Sequence, residues 1–116
     1  MMQAEDNELN LKWNVLLDKL QEAVGKRPAD LNAVLFLIGV QELGQGIKQF
    51  SKEQKQDLMH IAICKLLSYS GIYEFVGTDE QGWPHWKLVK NLPFLDLLDQ
   101  EKLLKSLAID YFEKEV

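Results

Sequence analysis

From Leu9 onward, apolar positions recur at spacings of three and four as Leu9, Trp13, Leu16, Leu17, Leu20, Ala23 and Val24. Lys12, Asp18, Lys19 and Glu22 fall on the other side. That alternation predicts a one-sided amphipathic helix. Asp6 or Asn7 is placed to cap it, and Gly25 to stop it, since glycine takes left-handed dihedrals at C′ without a Cβ penalty. Residues 1–6 show no apolar periodicity and are expected to be disordered.

The texture changes after Pro28. Pro28 suits the first position of a helix, where its missing donor would be unpaired anyway, and Asp30 would face the positive end of the dipole. From Leu31 the polar side disappears: Ala33, Val34, Leu35, Phe36, Leu37, Ile38 and Val40 leave almost no azimuth for water. A buried strand gives the same run, but the flanks Leu31-Asn-Ala and Gln41-Glu-Leu43 extend it without a turn signal and so favour a helix. Gly39 lowers helix propensity here, and close approach of a neighbouring backbone is the expected return. Gly44 ends this helix, and Ile47 and Phe50 are apolar anchors for the joint that follows. Ser51 and Gln54 form a capping-box pattern. They open a third helix over Lys52 to about Ser68, with Leu58, Ile61, Ala62, Lys65 and Leu66 marking successive turns and Met59, Ile63 and Leu67 broadening the buried face.

The stretch Tyr69 to Pro93 breaks the helical rhythm with Gly71, Gly77, Gly82, Pro84 and Pro93. Ile72–Val76 and Trp86–Val89 can pair as two short strands around Asp79-Glu-Gln-Gly82, and an aromatic-rich loop is equally compatible. Pro93 can start a short helix over Phe94–Leu98, with Asp99 as the N-cap of the last helix. In that helix Leu103, Leu104, Leu107, Ala108, Tyr111 and Phe112 form a broad apolar stripe. The fold class that follows is all-α: a compact bundle of four to five helices, with an aromatic-rich loop or short β-hairpin before the C-terminal helix. The second and third helices are expected at its centre, and residues 1–116 are expected to form one domain.

Composition narrows the function. Eighteen acidic against thirteen basic residues give a formal charge of −5. Lys48, Lys52, Lys55, Lys65 and the Lys26-Arg27 pair are too scattered among acids to make the basic stripe that phosphates require, which argues against nucleic acid. A helix-turn-helix reading fails on the same mixed charges. The run Ala33–Val40 covers about 12 Å as helix against a bilayer core of about 30 Å. It predicts a buried segment and no membrane partner. Cys64 is the one cysteine, so no intrachain disulfide can form. With no basic and apolar leader, the expectation is a soluble cytoplasmic protein.

Glu42, Asp57, His60 and His85 are the candidates for chemistry. Asp57 and His60 share a helix face at a spacing of three, and an antiparallel neighbour could bring Glu42 to them. Such a set could hold a divalent metal or move protons. The sequence contains no His-Glu-x-x-His, paired Glu-x-x-His or cysteine cluster, so the competing reading is that His60 is a surface or satisfied core histidine. Cys64, one turn after His60 but inside Ile-Ala-Ile-Cys, reads as a small hydrophobe and not as a nucleophile. Asp79, Glu80 and Gly82 do not make a calcium loop, and no phosphate-cradling glycine motif is present. No cofactor is implied.

The aromatic group Tyr69, Tyr73, Phe75, Trp83 and Trp86, with His85, is the stronger clue, because rings with polar tips suit interfaces and pocket walls. The alternative is that the rings cover one end of the core. The expectation is a non-enzymatic interaction or structural module that meets a protein partner or self-associates through residues 69–86. A small metal-assisted or acid–base enzyme built on Glu42, Asp57, His60 and His85 is the alternative.

Overall fold

The computed structural model describes residues 2–46, 48–92 and 95–115, with the side chains of residues 2–5 excepted. Four helices and one hairpin follow in order among them: α1 (Met2–Val24), α2 (Leu31–Leu43), α3 (Lys52–Ser68), β1 (Tyr73–Thr78), β2 (Pro84–Leu88) and α4 (Leu97–Lys114). This is the expected helical class, with the strand alternative realised before the C-terminal helix. The chain divides into two units, Met1–Leu31 with Leu95–Val116, and Asn32–Phe94.

In the first unit α1 packs against α4. Trp13, Leu16, Leu17 and Leu20 are buried on α1, and Leu107, Ala108, Ile109 and Tyr111 on α4. These are largely the stripes expected from spacing, although Ala23 and Val24 are exposed. Lys105 Nζ stands 5.4 Å from the centre of the Trp13 ring, and Lys102 Nζ pairs with Asp6 at 3.1 Å. Arg27 folds back to Asp18 and Asn14 on α1 after Gly25 has closed that helix at φ +86.

Three helix starts differ from expectation. Helix α1 begins at Met2, before the Asp6 or Asn7 cap. Helix α2 begins at Leu31, so Pro28 precedes it by three residues and does not occupy its first position. The cap of α4 is Asp96, whose carboxylate accepts from the Asp99 backbone N–H at 2.8 Å; Asp99 is the third helical residue and not the cap. Both aspartates satisfy the same local rule, and the geometry three residues earlier wins. The anchor role given to Ile47 and the helix start at Pro93 and Phe94 lie outside the described residues.

The second unit carries the elements that build the site. Val34 and Ile38 of α2 are fully buried, and Val40, Leu43, Phe50, Leu58 and Ile61 form one cluster against which Phe36 and Trp83 pack. Gly39 lies directly on the backbone of Leu58. The capping box at the start of α3 is complete: the Gln54 N–H donates to Ser51 Oγ at 3.1 Å, and the Ser51 N–H donates to Gln54 Oε1 at 2.9 Å. At the other end Gly71 turns at φ +73 and sends the chain back along α3 as β1. The strands are antiparallel, with Tyr73 opposite Leu88 and Phe75 opposite Trp86. The register shifts between Phe75 and Gly77, which leaves Val76 as an extra residue. A two-stranded sheet is marginal alone, but both strands pack on α3, and Ile72 is buried where the hairpin joins it.

Candidate functional site

The site is a cleft of about 520 Å³ between α3 and the hairpin. Helix α3 contributes Gln54, Asp57, His60, Ile61 and Cys64, which the helical spacing brings to one side. The hairpin contributes Asp79, Gln81, Trp83, Pro84, His85 and Trp86.

Asp79 builds the hairpin wall. Its Oδ1 accepts the backbone N–H of Gln81 at 2.9 Å and of Trp83 at 3.0 Å, and its Oδ2 stands 2.9 Å from His85 Nε2. The Gly82 N–H donates to the Asp79 carbonyl at 3.0 Å, with Gly82 at φ +85 closing the turn. The His85 bond, followed by the two backbone donors, lowers the Asp79 pKa from its ordinary 3.8. Gln45, from the joint between α2 and α3, props the same turn: its Nε2 donates to the Gln81 carbonyl at 2.7 Å, while its Oε1 accepts from Lys48 Nζ at 2.8 Å.

Trp83 is held from behind. Its ring meets Phe50 edge-on at 6.4 Å, and Phe50 in turn meets Phe36 at 6.0 Å, so one wall of the cleft is continuous with the core. Trp86 pairs across the strands with Phe75 at 5.4 Å. The Trp86 indole N–H is shut off from solvent and has no partner among the described residues. Native structures rarely leave such a donor unsatisfied.

His60 and Cys64 meet as their spacing allowed, with Nε2 3.5 Å from Sγ. Burial pushes the thiol up from 9.0 to about 11, so Cys64 is a neutral thiol at physiological pH, the opposite of what a nucleophile needs. The reading of Cys64 as a small hydrophobe holds, at 1% exposure.

Of the four residues considered for metal or acid–base chemistry, Asp57, His60 and His85 line the cleft and Glu42 does not. Among the described residues no group of three or more His, Cys, Asp or Glu side chains is placed to hold a metal ion. The aromatic segment is likewise divided. Trp83, His85 and Trp86 line the cleft, whereas Tyr69 lies beneath Lys65 Nζ at 5.5 Å, Tyr73 meets the His60 ring edge-on at 6.2 Å, and Phe75 is half exposed beside Trp86.

The sequence places Asp79 in the turn between the strands but assigns its side chain no role, and it assigns none to Gln45. The signal for Asp79 was present in Asp-x-x-Gly, the pattern of a turn whose first side chain caps its own backbone. Gln45 left no such signal, because its partner is 36 residues away.

No helix among the described residues is long and apolar enough to cross a membrane. Comparison of the chain with protein-family models, with curated proteins and with solved structures finds no match.

Proposed function

We propose that this protein is a non-enzymatic interaction module whose contact site is the cleft between α3 and the hairpin, with Trp83, His85 and Trp86 as the residues a protein partner touches. The observation that carries this reading is a cleft of about 520 Å³, within the range of ligand-binding pockets, whose far wall is fixed by the Asp79 turn and the Phe50–Trp83 contact. A wall tied to the core is pre-organised, and pre-organisation lowers the entropy lost on binding. Tyr69, Tyr73 and Phe75 belong to the candidate surface as supports of that wall and as its rim. The metal-assisted or acid–base alternative on Glu42, Asp57, His60 and His85 draws less support, since Glu42 lies outside the lining and the His85 ring is engaged by Asp79.

Selection of displayed peptides against the protein, followed by amide and indole NMR mapping, tests this. Selected peptides should move the signals of Trp83, His85 and Trp86, and lose binding to Trp86→Ala. Peptides that map elsewhere, or that bind Trp86→Ala unchanged, would remove the cleft from consideration. A stable dimer in sedimentation, closed over Phe75 and Trp86, would instead assign the surface to a second copy of the chain.

A further inference from the structure

The chemistry of the cleft wall specifies what the partner presents, an inference that rests on the cleft being the binding site. Its lining holds two carboxylates, two imidazoles and two indoles, with no lysine or arginine. The carboxylates are not equivalent. Asp79 spends both oxygens on the turn and on His85. Asp57, one turn before Ile61 on α3, is exposed and has no hydrogen bond or ion pair among the described residues. The uncommitted charge facing the cleft is therefore negative, beside two ring systems whose faces attract cations. An anionic group would meet Asp57 with no lysine or arginine in the lining to offset it. Between the two cationic side chains, lysine is a compact, strongly hydrated point charge, whereas arginine is planar, stacks on aromatic faces and pairs with a carboxylate through two parallel N–H donors.

We propose that the cleft takes the guanidinium group of an arginine side chain on a partner peptide, with Asp57 as its counter-ion and the Trp83 and Trp86 rings as its flanks. A single residue of this kind binds weakly. The full affinity of the module then comes from the segment on either side of the arginine running along the hairpin rim.

The test is a titration of the full chain with four small probes, N-acetyl-arginine amide, N-acetyl-lysine amide, N-acetyl-glutamine amide and N-acetyl-glutamate, followed by backbone and indole NMR signals. The arginine probe should move the signals of Asp57, His85 and the Trp83 and Trp86 indoles saturably, the lysine probe should do so more weakly, and the glutamate probe should leave them in place. Asp57→Asn should weaken the arginine probe by about tenfold, the loss expected for one charge-assisted contact, without moving the thermal midpoint. Equal binding of arginine and glutamine, or an Asp57→Asn variant that binds arginine as well as the parent, would overturn the cationic assignment while leaving the cleft as a site. Equal binding of lysine would overturn the guanidinium assignment. If none of the four probes moves a cleft signal while a selected peptide still does, the arginine assignment fails and the cleft stands as a site; if the selected peptides leave the cleft signals in place as well, the cleft reading fails with it.

Discussion

Gly39 and Leu58 mark the point where α2 lies on α3. A methyl group at Gly39 would overlap the Leu58 carbonyl oxygen and would stand 2.6 Å from its carbonyl carbon and 2.8 Å from its Cβ. The neighbour is backbone and cannot swing aside, so only separation of the two helices would make room. The glycine that weakens α2 as an isolated helix is what lets it settle onto its neighbour.

Gly39→Ala is therefore expected to destabilise the protein by about 1–3 kcal/mol, the usual cost of overpacking a core, despite the better helix propensity of alanine. Urea denaturation checks the sign. A midpoint raised or unchanged would show that the helices separate freely.

Asp79→Ala should loosen the hairpin turn and leave the helices intact, because its carboxylate holds the backbone donors of Gln81 and Trp83 and the His85 ring. Hydrogen exchange at the Gln81 and Trp83 amides should quicken while far-UV circular dichroism holds. The same linkage gives a pH dependence. The Asp79 pKa is lowered in the folded state, so its contribution is full above the unfolded value near 3.8 and is lost as pH falls through the lower folded value. Protection of these two amides that persists unchanged into that acid range would contradict the assigned role.

Cys64 should resist a thiol reagent at pH 8 in the native protein and react promptly in urea, since it is buried and its pKa stands at about 11. Because that value is raised, the unfolded chain ionises first, and stability is expected to decline as pH rises from 9.0 towards about 11. Fast native labelling at pH 8 would restore Cys64 as a reactive group.

Trp83 and Trp86 should separate in their effects. Trp83→Ala removes the ring packed on Phe50 and should cost stability, about 1–3 kcal/mol for a ring that is half buried. Trp86→Ala should spare most of the stability and abolish peptide binding. Paired denaturation and binding measurements on the two variants make the comparison, and equal losses of stability would mean that both rings serve only as cover for the core.

Ser51→Ala removes one half of a reciprocal cap, and about 1 kcal/mol of stability is expected to go with it. Gln54→Ala should cost less, since the Ser51 hydroxyl still accepts from the backbone. Thermal denaturation of the two variants orders them, and a larger loss for Gln54→Ala would reverse the assignment.

The sequence by itself determined whatever rests on neighbours a few residues apart. The stripe from Trp13 to Leu20, the cap at Ser51, the stops at Gly25 and Gly44 and the full span of α3 all follow from helical period and from local donors seeking acceptors. The unbroken apolar run of α2 told the same way that the segment is buried and that Gly39 needs a close neighbour. It could not say that the neighbour is Leu58. Tertiary structure decided the rest. It chose a hairpin over a loop, because pairing with β2 and cover from α3 stabilise what neither strand could hold alone. It brought Asp57, His60 and His85 to one cleft and left Glu42 outside, and it set Trp83 and Trp86 in the cleft wall while leaving Tyr69, Tyr73 and Phe75 outside the lining. Contacts such as Gln45 with Gln81 join residues far apart in the chain, and a linear pattern carries no distance between them.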